Sequence, residues 1–345
     1  KESLLILCGG AEAVPCIQVA QSMGLHTIVV DGNVDAPGRL VADDFIHASI
    51  YHPSEVVLAL DSHIKNMSIN GVITVAADNP VTVATVANHL GLPSLLLCTA
   101  HLATHKLEMK KALLGAGILT PWFIGIKSLE QLEEIVSTRP ASYVLKPVDS
   151  RGSRGVIRLS KLQECHEAFA YSSQYSMANE LILEEWIEGE QLSSESIVSI
   201  GESYLCGLAD RNYNRLSDLY PFVVEDGGET PSRLSSIEME TSINNLMNMI
   251  CKAIGLVNGS IKGDLVFSKG TIYVIEFAAR LSGGSFSTVT IPLVYEYNLV
   301  ENVIRMALGR SPVLPPNPLV YTRYQCNRFF FIPAGKKITF GEMKP

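Results

Sequence analysis

A chain of 345 residues with 47% hydrophobic side chains exceeds one ordinary core and is expected to divide into two or three domains. Only 18% of residues are charged and no long polar run occurs, which argues against extensive disorder; 35 acidic against 27 basic residues argues against a general binder of nucleic acid or anionic membrane. The seven cysteines are odd in number and form no C-x-x-C pair, the usage of a reduced, cytoplasmic protein, and no apolar run approaches the ~18 residues of a membrane span.

Strand and helix alternate over residues 1–100. "LLILCGG" reads as a buried strand ending in a tight turn, and "AEAVPCIQVAQSMG" as a helix closed by Gly24. "HTIVVDG", "FIHASI" and "GVITVAAD" follow as strands, the last leading into the helical "NPVTVATVANHLG". This order predicts a doubly wound, largely parallel sheet, a Rossmann-like α/β domain with Gly9, Gly10, Asp31 and Asp78 at the ligand-binding ends of its strands. Asp31 suggests a dinucleotide site only weakly, because "CGGAEA" lacks the second and third glycines of G-x-G-x-x-G.

From residue 101 the pattern changes. "THKLEMKKALLGAGILTP" is a helix closed by Gly115 or Gly117, and "SLEQLEEIVSTRP" a helix with Ser128 as N-cap and Gln131 completing a capping box. The strand "SYVLKP" then delivers Lys146 to the loop of "VLKPVDSRGSRGV", before "GVIRL" resumes the β pattern. Lys146, Arg151 and Arg154 supply positive charge there, and Gly152 and Gly155 let backbone N–H groups turn toward an anion. No Walker A motif is present, and a solvated hairpin tip is the plainer alternative. Residues 101–183 are read as a small α+β module with its lead-in helix.

Residues 184–345 form a third region. "NELILEEWIEGEQLSSESIVS" reads as two strands around a Gly189 turn, "SYLCGLADR" as another strand, and "SIEMETSINNLMNMICKAIG" and "NLVENVIRMALG" as helices. "GDLVFSKGTIYVIEFAAR" is a hairpin carrying Asp264 and Glu276. A three-residue loop, Ser268 to Gly270, would put both carboxylates on one face, and a two-residue loop would put them on opposite faces. Paired carboxylates among apolar residues suit a hard cation such as Mg²⁺, with ordinary strand-edge salt bridges as the alternative; Arg280 adds a cation where a phosphate would meet that metal. All eight histidines precede residue 167, so chemistry in this region must run on carboxylates, Lys, Arg and a metal. The long segment "GLADRNYNRLSDLYPFVVEDGGETPSRLS" shows little regular pattern, and its Arg211 and Glu225 could read the two ends of a zwitterion, with a solvated loop as the alternative. "FFFIPAGKKITFGEMKP" looks like a strand and turn broken off in mid-module; the start lacks Met, and a natural chain continuing past Pro345 is expected.

The ordered set "THKLEMKKALLGAGILTP", "VLKPVDSRGSRGV", "ILEEWIEGEQLS", "GDLVF" and "YVIEFAARLSGG" resembles the ATP-grasp superfamily, with an N-terminal domain similar to that of the biotin carboxylase and carbamoyl phosphate synthetase group. The resemblance implies two α+β subdomains gripping ATP. It implies that Lys106 and Lys146 hold phosphates under a lid containing Gly152, Ser153 and Gly155, and that Glu184 lies near the adenine amino group with the backbone of Glu185 to Ile187 on the adenine edge. Gln191, beside Glu190, stands where a ribose-binding Glu is common. Asp264 and Glu276 would bind two Mg²⁺ ions, for which Mn²⁺ could substitute, although Ala278 replaces a common Asn ligand. Arg280 would face the γ-phosphate and acyl-phosphate, with Gly283, Gly284 and Ser285 beside the acid substrate.

The expected function is ATP-dependent carboxylate–amine ligation through an acyl-phosphate, on a small carboxylic acid and an amine or amino acid, in a protein compatible with a homodimer. Carbamoyl phosphate synthetase-like or transformylase-like activation of bicarbonate or formate is the alternative within the fold. A non-catalytic ATP-binding regulatory module is the alternative outside enzymes.

Overall fold

A computed structural model describes residues 1–63, 68–332 and 335. Strands β1 (Ser3–Ile6), β2 (His26–Asp31), β3 (Asp44–His47) and β4 (Ile69–Ile73) form a parallel sheet in the order β3-β2-β1-β4. Every residue of the central β1 is buried, as expected of a strand covered on both faces. Helices α1 (Val14–Ser22), α2 (Pro53–His63) and α3 (Pro80–His89) supply crossovers and flanking cover. The turn after β1 consumes the carboxylate that a dinucleotide ribose would need: Asp31 accepts the N–H of Gly9 at 2.7 Å and of Asn33 at 2.8 Å.

Helices α4 (Leu97–Leu102) and α5 (Lys106–Gly115) lead to a second sheet of β5 (Phe123–Ile126), β6 (Tyr143–Pro147), β7 (Ile157–Leu159) and β8 (Leu181–Glu185), antiparallel in the order β5-β8-β6-β7. Its helices are α6 (Leu129–Thr138) and α7 (Cys165–Ser173). Ser128 caps α6 by accepting the Gln131 N–H at 3.2 Å, while the Gln131 side chain reaches the Lys127 N–H at 3.0 Å, one residue short of the expected reciprocal box. This module has a separate core that includes Leu132, Tyr143, Leu145 and Leu183.

The third sheet comprises β9 (Glu190–Ser199), β10 (Glu202–Asn212), β11 (Gly227–Thr230), β12 (Gly259–Ser268), β13 (Thr271–Ala278) and β14 (Gln325–Arg328), in the order β13-β12-β9-β10-β11-β14. Helix α8 (Ile237–Ile254) packs on β9 and β10, ending at Gly255 in the left-handed conformation. After the short α9 (Ile291–Tyr295), α10 (Leu299–Ala307) packs against β4 as well as β9 and β12. The parallel sheet and the six-stranded sheet therefore share one continuous core, and Val75 and Leu281 form a bridge between them.

Three expectations change. The strands around Gly189 belong to different sheets, β8 and β9, so Trp186 to Gly189 is a link between two bodies. The segment expected to be irregular begins with the end of β10 and contains β11, leaving 213–226 and 231–235 without a strand. The terminal strand lies earlier, at Gln325–Arg328; residues 329–332 have no regular structure, and 333, 334 and 336–345 of that stretch lie outside the described residues.

The hairpin resolves its own parity. Its loop is the two-residue Lys269-Gly270, with both φ angles positive at 49° and 80°, which alone would separate the two carboxylates. A bulge offsets this: Leu265 pairs with Val274 and Asp264 with Glu276, leaving Ile275 as the extra residue. Asp264 and Glu276 are thus direct cross-strand partners.

At the link, the backbone of Gly189 runs against β12 so closely that a Cβ would stand 2.4 Å from the Phe267 carbonyl oxygen. Gly189→Ala is expected to lower stability by roughly 1–3 kcal/mol, the usual cost of overpacking, read as a lowered thermal unfolding midpoint.

Candidate active site

A cavity of about 510 Å³ opens where the three sheets meet. Its floor is one face of the six-stranded sheet, where alternation places Gln191, Ser193 and Glu195 of β9 beside Lys262, Asp264 and Val266 of β12. Asp264 is the centre of the charge pattern. Lys262 Nζ stands 3.0 Å from its Oδ1 and 3.1 Å from its Oδ2, and Arg211 Nη1 3.1 Å from Oδ1. Burial works to raise the Asp264 pKa, but Arg211 and Lys262 outweigh it and bring it down to about 2. Arg211 also donates to Glu225 Oε2 from Nε at 2.8 Å and sets Nη2 2.7 Å from it, so these two residues engage each other. Glu276 places Oε2 3.6 Å from Lys106 Nζ, which donates to the Ser150 carbonyl at 2.6 Å.

A second charge cluster lies under the small module. Lys146, leaving β6, has Nζ 2.8 Å from Glu184 Oε1, and Lys110 has Nζ 3.3 Å from Glu184 Oε2. Glu184 is buried, which opposes ionisation, yet Lys110 and Lys146 hold its pKa below the ordinary value. Burial pushes the Lys110 ammonium down to about 8 despite Glu184, and it donates to Thr120 Oγ1 at 2.6 Å and the Val274 carbonyl at 3.1 Å. Sequence reasoning missed Lys110. Its signal was position: it lies one turn after Lys106 on the same face of α5.

The loop between β6 and β7 turns through Gly152, Ser153 and Gly155 at φ 60°, 57° and 76°. A Cβ on Gly155 would meet Pro147 Cγ at 2.7 Å, so the glycine is sterically required. Arg151 reaches the parallel-sheet domain, donating to the Asp78 carbonyl at 3.1 Å with its guanidinium 3.7 Å above the Tyr51 ring. Arg280 sets both Nε and Nη2 2.7 Å from Asp78 Oδ1. At the opposite end, Glu185, Ile187 and Gln191 line the cavity. Glu190 does not share that lining; its carboxylate is 3.1 Å from Arg233 Nη2.

Gly283 and Gly284 line the cavity beside Arg280, and the Ser285 N–H donates to Glu12 Oε2 at 3.0 Å. Beneath them Ser282 donates its hydroxyl to Glu195 Oε2 and its N–H to Ser287 Oγ at 2.7 Å. Glu195 is wholly buried, and burial drives its pKa up to about 7 against the donations from Ser282 and the charges of Lys262 and Arg280. It too was missed, since one carboxylate in "SSESIV" carries no motif.

The donor set fits a hard cation. Asp264 Oδ1 is buried with no well-aligned hydrogen bond, although Lys262 and Arg211 approach it, and Glu276 is its cross-strand neighbour. Among the described residues no three His, Cys, Asp or Glu side chains converge, so an ion here would draw its remaining ligands from substrate and water.

Residues 103–284 match the ATP-grasp domain, more than half of the chain, and the chain belongs to that family. A D-alanine–D-alanine ligase of Marinobacter nauticus is 28% identical over 145 residues, covering 40% of this chain and 44% of that one, so the match spans under half of that relative's length. The fold is shared with an L-amino acid ligase from Bacillus licheniformis, at a TM-score of 0.80 and 22% identity over 95% of this chain and 79% of that chain. It is shared also with the biotin carboxylase domain of a Hydrogenobacter thermophilus 2-oxoglutarate carboxylase, a dimer solved with MgADP, ADP and bicarbonate, at a TM-score of 0.76 and 18% identity over 93% of this chain and 73% of that chain. No helix among the described residues is long and apolar enough to cross a membrane.

The buried Glu195 gives a pH signature. The folded protein keeps a proton on it up to about pH 7, where the unfolded chain has released its proton near the ordinary 4.5, so this group's contribution to stability falls as pH rises between those values. Glu195→Gln should flatten that decline, which is roughly 3 kcal/mol in size. Unfolding free energies of both proteins from pH 4 to 8 test it; parallel profiles would contradict it.

Proposed function

We propose that this chain is an ATP-dependent carboxylate–amine ligase that forms an amide or peptide-like bond through an acyl-phosphate and releases ADP and phosphate. The observation that carries this reading is a single cavity in which Lys106, Lys146, Lys262 and Arg280 surround the Asp264–Glu276 pair, while no histidine or cysteine is among its lining residues. Such a site is suited to anions approaching one another and holds no conventional nucleophile–base pair. The substrate carboxylate oxygen attacks the γ-phosphorus and ADP leaves; the amine then attacks the acyl carbon and phosphate leaves. Fixed cations relieve the anion–anion repulsion of the first step.

In this reading Lys106, Lys146 and the lid at Gly152, Ser153 and Gly155 hold the phosphates and exclude water from the acyl-phosphate. Glu184, Glu185 and Ile187 receive adenine, and Gln191 receives ribose, with Glu190 outside the cavity. Asp264 and Glu276 hold Mg²⁺, with Mn²⁺ able to replace it; when bound, the metal would neutralise charge on the phosphates. Arg280, with Gly283 to Ser285, receives the acid. Arg211 and Glu225, locked together, are assigned to holding Asp264. The match to an amino acid ligase and the dimeric biotin carboxylase likeness support small-molecule substrates and a homodimer.

The Arg280–Asp78 pair argues against bicarbonate or formate as the activated acid. An acid that takes the guanidinium from Asp78 leaves that carboxylate uncompensated, whereas an amino acid replaces the lost cation with its own ammonium.

Phosphate release measured over a matrix of carboxylic acids and amines tests the function: turnover requiring both co-substrates is expected, turnover with bicarbonate or formate would favour the alternative activation, and ATP binding without turnover would favour a regulatory module. Glu276→Gln is expected to abolish turnover while nucleotide binding survives, because adenine contacts are untouched. Arg280→Lys, which keeps the charge but loses the fork, is expected to lower kcat roughly 10²-fold with little change in ATP affinity; a kinetically silent variant would remove Arg280 from the role.

A further inference from the structure

Four neighbouring positions on the cavity face of the hairpin decide how many metal ions it can hold. Asp264 is opposite Glu276, and Lys262 is opposite Ala278. Residues 262 and 264 are two apart on one strand and so share that face. The patch therefore contains two carboxylates, one ammonium and one methyl group.

Lys262 approaches Asp264 as a chelated ion would, with Nζ 3.0 Å from one carboxylate oxygen and 3.1 Å from the other. Ala278, across the strand, contributes no oxygen donor. On its other side Lys262 is the register partner of Glu195, whose carboxylate is wholly buried. Asp264 thus favours the ammonium where it is, and Glu195 flanks it on the neighbouring strand. Arg211 adds a further fixed cation 3.1 Å from Asp264 Oδ1. A second divalent ion at Asp264 would have to displace or crowd both, with no third metal-type side chain among the described residues to help hold it.

We propose that Lys262 serves as a resident cation of the site, so that the nucleotide-bound protein takes one divalent ion, at the Asp264–Glu276 pair, with the Lys262 ammonium in place of a second. This rests on the reading of the site as one for metal-bound ATP. Asp264 and Glu276 would hold the single ion, which would offset charge on the phosphates, and Lys262 supplies the second positive charge without exchanging with solvent. The velocity should then depend on the metal–nucleotide complex and not on further free metal.

The test is a count of bound ions. Mn²⁺ is titrated by electron paramagnetic resonance into protein saturated with the β,γ-imido analogue of ATP. Wild-type protein should bind one Mn²⁺ per chain, Lys262→Arg one, and Lys262→Met two; with MgATP saturating, only Lys262→Met should need excess free Mg²⁺ for full velocity. Two Mn²⁺ per wild-type chain would overturn the inference whether or not the Met variant folds, and a folded Lys262→Met still binding one would overturn it as well. Failure of the analogue to bind would instead overturn the ATP reading on which the inference rests.

Discussion

Two carboxylates side by side on a sheet face repel each other and lose hydration, so the hairpin bearing Asp264 and Glu276 can exist only with cations around it. The surrounding arrangement follows from that constraint. Lys262 and Arg211 converge on Asp264, and Lys106 reaches toward Glu276 from the first turn of α5. Arg211 is itself balanced by a further anion, Glu225, and Lys262 faces the buried Glu195 of the neighbouring strand. The result is an alternating array in which few charges in the cavity are left alone.

The array has a functional consequence. The cations that would bind phosphate or carboxylate are already engaged by the protein's own anions: Lys146 by Glu184, and Arg280 by Asp78. A substrate anion therefore exchanges with an internal one, and the net gain is smaller than the full attraction of a bare cation. Exchange also links the domains. Arg280 and Arg151 of the β6–β7 loop both meet Asp78, just beyond β4 of the parallel sheet, so a ligand that takes either arginine would alter a contact between that domain and the rest. The parallel and six-stranded sheets share one core, while the small module has a core of its own.

Much of this was legible in the sequence, for stated reasons. The β–α alternation of the first hundred residues and the capped helices at Lys106 and Leu129 are local signals, set by periodicity and end groups. The hairpin showed the limit of such reasoning: loop length fixes parity only when the strands pair regularly, and the bulge at Ile275 is a tertiary accommodation with no glycine or proline to announce it. Gly189 read as a turn because a glycine between two strands usually is one; its actual task, close passage against Phe267, depends on a strand about eighty residues away in the chain. Lys110, Glu195 and the Lys262–Asp264 contact were missed because burial and pairing across sheets give a lone Lys or Glu its meaning, and no spacing rule encodes them. Arg211 and Glu225 were found as charged residues in the right place, but which partner each chose was not in the sequence.

The central claim is that the carboxylate itself attacks the γ-phosphorus. It is tested most directly by supplying the acid co-substrate with both carboxyl oxygens replaced by ¹⁸O, together with MgATP and the amine in unlabelled water, and examining the released phosphate by mass spectrometry. One labelled oxygen per phosphate is the expected result, because the acyl-phosphate carries its bridging oxygen away when the amine displaces it. Phosphate without label, from a reaction that still consumes the acid, would mean that the acid is activated by another route and would contradict the assignment.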